Sequence, residues 1–137
     1  MGQCAGMVTP VDRQRLQDLR ESLLILHKTL VESERAGYEA TFGHGVSPHR
    51  LFQLLTADPW FAWLRPLSRL IVSIDEALDE KEPLTGERVA ALVRSTRDML
   101  VASEEGDGFP RSYFEALQRD PDVVFAHARA AGIFRAR

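Results

Sequence analysis

Apolar residues recur along this chain at steps of three and four. Leu16, Leu19, Leu23, Leu26 and Leu30 form one series, and Trp60, Leu64, Leu67, Ile71, Ile74 and Leu78 form a second. Val89, Leu92, Val93, Thr96 and Leu100 form a third. Such spacing puts each series on one face of an α-helix. No stretch alternates with the period of two that marks a half-buried strand.

The polar positions between these series announce where helices begin. Four times a capping residue stands directly before a proline: Thr9-Pro10, Ser47-Pro48, Asp58-Pro59 and Asp120-Pro121. Proline suits the first helical turn because its missing N–H has no partner there anyway, while the preceding side chain accepts from the next free donors. Thr9 with Asp12 adds a variant of the capping box, and Val46/Leu51 and Leu84/Val89 have the spacing of hydrophobic staples around Ser47 and Thr85.

These signals predict a first helix over 10–42, a short helix over 48–56, a second main helix over 59–79 and a third over 86–105. A fourth helical region starts near Pro110, breaks at Asp120-Pro121 and continues to Phe134. The connections Gly43-His44-Gly45-Val46, Lys81-Glu82-Pro83 and Gly106-Asp107-Gly108-Phe109 are short, as antiparallel neighbours require. The expectation is an all-α fold. It is an antiparallel, up-down bundle of four main helices, with an extra short helix between the first two and a proline-broken fourth region. Residues 1–8 form a flexible tail ahead of a single helical domain over 9–137.

Two features depart from an ideal bundle. Pro66 falls inside the second main helix, where a missing donor predicts a kink or break. The seam of the first helix also changes from leucines to Ser33, Ala36, Gly37 and Ala40, a notch that admits a close helix, a bulky ring or a ligand. Trp60-Phe61-Ala62-Trp63 is the natural filling, because a dense core matches small residues with large ones.

Composition narrows the function classes. The chain has 137 residues, 45% hydrophobic and 27% charged, with a net charge of −3. That balance fits a globular domain and disfavours a general nucleic-acid binder, which carries a basic excess. Of its 17 basic residues only Lys28 and Lys81 are lysines, a bias that, with abundant alanine, fits a GC-rich bacterial coding sequence. Cys4 alone builds no disulfide framework. Gly6 occupies the Ser/Thr position of a myristoylation signal, and no apolar run reaches membrane-spanning length. A cytoplasmic protein without membrane association is the expectation.

Candidate chemistry is sparse. Leu24, His27, Val31, Glu34 and Tyr38 make a second stripe on the first helix, with His27 and Glu34 two turns, roughly 10 Å, apart. A group on a facing helix fits between them, and His127, set among Val123, Val124, Ala130, Ala131 and Phe134, is the natural choice. The paired Glu-x-x-His motifs of di-iron bundles, His-Glu-x-x-His, an EF-hand loop, a Gly-x-Ser-x-Gly elbow and phosphate-cradling loops are all absent from the sequence. No metal or cofactor is expected. Arg13, Arg15 and Arg20 are interspersed with Asp12, Asp18 and Glu21, as in a solvated ion-paired face.

The leading expectation is therefore a protein-interaction module, self-associating or docked on a protein partner, without catalysis of its own. Phe52, Trp60, Trp63 and Phe134 are its candidate contact residues, since aromatics beyond the needs of the core favour interfaces. The alternative is a small-ligand or metal-binding bundle whose pocket is lined by His27, Glu34, Tyr38 and His127. Acid–base catalysis by His27 and Glu34 is a third possibility.

Overall fold

The structure, a computed structural model, describes residues 8–79 and 83–135. Cys4, most of the expected tail, the Lys81-Glu82 part of the second connection and Arg137 lie outside the described residues. Among the described residues every regular element is helical. The order is α1 (Pro10–Phe42), α2 (Pro48–Ala57), a 3-10 segment (Pro59–Leu64), α3 (Arg65–Leu78), α4 (Gly86–Met99), α5 (Gly108–Arg119) and α6 (Pro121–Phe134). None of these helices is long and apolar enough to cross a membrane.

The helix starts form as the local chemistry predicts. Thr9 Oγ1 accepts from the Asp12 amide at 3.0 Å, Ser47 Oγ from Arg50 at 3.1 Å and Thr85 Oγ1 from Arg88 at 3.0 Å. Asp58 and Asp120 each cap two residues on, accepting from the Trp60 and Asp122 amides at 2.8 and 2.9 Å. The staple residues Val46 and Leu84 are both buried. α1 ends on Gly43, whose φ of 77° is the left-handed conformation that lets its amide return to the Glu39 carbonyl.

Two expectations about the elements change. The second main helix is not one helix: residues 59–64 wind as a 3-10 segment, and α3 begins at Arg65 with Pro66 in its first turn. The break allowed for at Pro66 is found, and it takes the form of a new helix start, where Pro66 sits in a first turn that needs no intrahelical donor. The third helix stops at Met99, not near Glu105. Leu100 turns inward and is buried, and the Ser103 amide pairs with the Pro110 carbonyl. Stopping there also keeps Glu104 and Glu105 off a helix C-terminus, where the helix dipole disfavours negative charge.

α1 is the spine of the molecule. Leu16, Leu19, Leu23, Leu26 and Leu30 are completely buried along it. α3 runs antiparallel beside α1, as the pairs Arg20–Asp75 and His27–Ser68 show. α6 does the same on another side, where Arg15 reaches the Ile133 carbonyl and Arg129 approaches Glu21. Small residues on the buried side of α6 (Ala126, Ala130 and Ala131) let it lie close along the spine. α4 packs on α1, α3 and α6, whereas α5 covers the 3-10 segment and α6. Arg15 and Arg97 donate to the Ile133 and Phe134 carbonyls, supplying positive charge and donors where α6 runs out of its own.

Candidate functional site

The polar stripe of α1 is distributed among three separate neighbours. His27, half-buried, shares a 2.8 Å hydrogen bond between its Nε2 and Ser68 Oγ on α3. Burial holds its pKa below the ordinary 6.5, so the neutral ring is favoured. Glu34 is buried and takes a 2.7 Å ion pair from Arg119 Nη2 at the end of α5, while Arg119 Nε donates to Ser33 Oγ at 3.0 Å. Tyr38 is buried in an aromatic cluster, 4.5 Å from Phe42, 5.6 Å from Trp60 and 5.8 Å from Phe61 between ring centres.

His127 has a partner of its own on α5. The Tyr113 phenol is fully buried and lies 2.6 Å from His127 Nδ1. Burial pushes the phenol well above its usual range, so it stays protonated and donates to the ring nitrogen. The imidazole is in turn held below its ordinary pKa, first by burial and then by the nearby Arg135 guanidinium. His27, Glu34 and His127 thus each pair with a different side chain, and Tyr38 packs among aromatic rings. The structure does not bring them together around a common cavity. Among the described residues, no group of three His, Cys, Asp or Glu side chains is placed to hold a metal ion.

The notch of small residues is closed in part by Trp60. Its Cζ2 would lie 3.5 Å from a Cβ built on Gly37, and its indole N–H donates to the Glu34 carbonyl at 3.3 Å. On the solvent side a shallow groove of about 780 Å³ remains, lined by Ser33, Ala36, Gly37, Lys28, Arg119 and Asp122. None of His27, Tyr38 and His127 lines it. Ser68, Tyr113 and Arg119 are the partners that sequence reasoning missed, since each lies far along the chain from the residue it satisfies.

The four aromatic contact candidates have separate fates. Phe134 is 3% exposed and belongs to the core, where its ring lies 6.4 Å from that of His127. Trp60 is half-buried over α1, and Trp63 is half-buried 5.4 Å from Phe109. Phe52 stands on the outer side of α2, 65% exposed.

A further exposed apolar surface lies on α6. Phe125 is 71% exposed, the highest value for any large aromatic among the described residues, and Val124 is 44% exposed. Pro121, Phe125, Ala128 and Gly132, at steps of four, three and four, form the outermost ridge of the helix, and all four are exposed. That ridge carries no charge. Nothing stands within 4 Å of a Cβ built on Gly132, so the surface there is low and open. Across the α1–α6 groove, antiparallel pairing sets Ile25, itself partly exposed, beside Phe125. Along the flank of the ridge that faces α1, Arg129 and Glu21 mark one end of this patch, and Asp122 and Lys28 mark the other.

No protein-family model, curated protein or solved structure matches this chain.

The residues themselves therefore carry the functional argument. The signal for α6 was present in the sequence: residues 121–134 include only Asp122 and Arg129 as full charges, so the helix is apolar nearly all round. A helix of that kind is normally enclosed on every side. Here only the side facing α1, α4 and α5 is enclosed.

Proposed function

We propose that this chain is a small helical protein-interaction module that docks a protein partner on the outer face of α6 and the adjoining edge of α1. The observation that carries the reading is the uncharged Pro121–Phe125–Ala128–Gly132 ridge, with Phe125 left 71% exposed on the outer face of a helix whose inner face is core. An apolar centre with charged residues at its margin is the usual anatomy of a recognition surface. The internal pairing of His27, Glu34 and His127 favours this reading over acid–base chemistry, because each polar group already has a structural task. The frame that presents the face is best read as an up-down bundle, with α3 and α6 antiparallel to α1 and α4 filling the remaining side.

Site-specific photo-crosslinking tests the reading directly. With p-benzoylphenylalanine in place of Phe125, irradiation in the source cell is expected to give a discrete protein adduct. The same probe at exposed Arg94, on α4, serves as the background control. Equal labelling at the two positions, or none at either, would overturn the assignment of α6 as a docking face.

A further inference from the structure

We infer that the partner seated on α6 is a second copy of the chain, packed α6 against α6 in antiparallel orientation. This rests on the reading of α6 as a docking face and adds the identity of the occupant.

Self-complementarity of charge carries the inference. Asp122 and Arg129 are seven residues apart and lie on the same flank of the ridge, the flank that faces α1. A two-fold axis crossing α6 near residues 125–126 sets Asp122 of each copy opposite the partner copy's Arg129. The two opposite-charge pairs then close both ends of the contact. An antiparallel pair of helices matches like flank with like flank, so this arrangement forms twice in the same interface. Parallel packing would instead turn that flank toward the Val124 side, which offers neither charge a counter-ion.

Shape agrees with charge. A phenylalanine on a helix leans toward the helix N-terminus, so each Phe125 ring projects to the level of the partner copy's Ala128. Ala128 and Gly132 are one turn apart, and a surface that low accepts a ring without displacing another side chain. Ile25, 36% exposed on α1, widens the apolar area beside the contact. The existing contact of Arg129 with Glu21 spans 4.0 Å between exposed groups, so it is weak and leaves the guanidinium able to take a second carboxylate. A helix of 14 residues is only about 21 Å long. The interface is therefore at the small end of the range for specific contacts, and a concentration-dependent equilibrium is expected in place of a permanent dimer.

Sedimentation velocity over a range of protein concentrations tests the inference, with thermal melts to verify that each variant is folded. Wild-type protein is expected to move from monomer to dimer mass as concentration rises, and Phe125→Glu to stay monomeric. Asp122→Arg and Arg129→Asp each place like charges together twice, and each is expected to weaken the dimer by at least about tenfold. Mixing those two variants restores both opposite-charge pairs, so dimer mass should return as a heterodimer. A dimer that survives all three substitutions, or single variants whose mixture stays monomeric, would overturn the inference. A wild-type monomer at every concentration would overturn it too. In that case an adduct of the Phe125 probe with a different protein leaves the docking face standing, and the absence of any adduct removes both.

Discussion

At the scale of single residues, one buried side-chain polar atom among the described residues is left without a hydrogen-bond partner. Ser22 is 1% exposed on the buried side of α1, and its Oγ has no hydrogen-bond partner. Its neighbours Leu19, Leu23 and Leu26 are entirely buried, so the hydroxyl has been taken from water into apolar surroundings without compensation. An unpaired hydroxyl in such a place costs about 1 to 3 kcal/mol, and alanine is also the better helix former. Ser22→Ala is therefore expected to stabilise the protein by about 1 kcal/mol, read as a higher urea midpoint at unchanged slope. A lower midpoint would mean that the hydroxyl makes a contact the structure does not contain. Gly37 shows the opposite case, where a small residue is used: Trp60 comes to van der Waals distance of the position a Cβ would take.

At the scale of elements, the joint between α5 and α1 depends on one ion pair of unequal partners. The Glu34 side chain is 10% exposed and that of Arg119 is 43% exposed. Removing the arginine leaves a nearly buried carboxylate unpaired, whereas removing the glutamate leaves a guanidinium that water already reaches and that keeps its bond to Ser33. Arg119→Ala is accordingly expected to cost about 1 to 2 kcal/mol, and Glu34→Gln distinctly less. Chemical denaturation of both variants and their combination checks the order; equal costs would show that the burial difference has no energetic consequence. The same joint marks how far the sequence could be read. Helix starts were legible because a cap and a proline act within four residues, as at Ser47-Pro48 and Asp120-Pro121. The end of α4 was not, because burial of Leu100 and the Ser103–Pro110 contact decide it from outside the helix. The polar stripe of α1 was legible as a stripe, but Glu34 and Arg119 are 85 residues apart and His27 and Ser68 are 41 apart. Periodicity reports which face a residue occupies and says nothing of which side chain meets it. The α6 ridge follows from the same wheel argument, since Pro121, Phe125, Ala128 and Gly132 share one uncharged face.

At the scale of the whole molecule, two histidines tie neighbouring helices together, and their burial is expected to make stability depend on pH. His27 joins α1 to α3 through Ser68, and His127 joins α6 to α5 through Tyr113. Both are held below the ordinary histidine value of 6.5, so the folded protein resists a proton that the unfolded chain takes up readily. Where the unfolded state binds more protons, stability rises with pH. The contribution of these groups is thus complete above about pH 6.5 and is lost as the pH falls through their lower folded values. Protonation of His127 also adds positive charge near Arg135 and removes the nitrogen lone pair that accepts from Tyr113, so α5 and α6 lose a contact in the same step. The expected result is a melting temperature that is flat from pH 8 to 7 and falls between pH 6.5 and 5, before the bulk of the carboxylates titrate near pH 4. In the His27→Gln, His127→Gln double variant, which cannot titrate at either joint, that fall should be clearly shallower even if the starting melting temperature is lower. A double variant with the wild-type slope would place the pH response elsewhere in the chain. Because Phe125 and Arg129 share α6 with His127, sedimentation of the wild-type protein over the same pH range then reports whether loosening of α6 reaches its outer ridge.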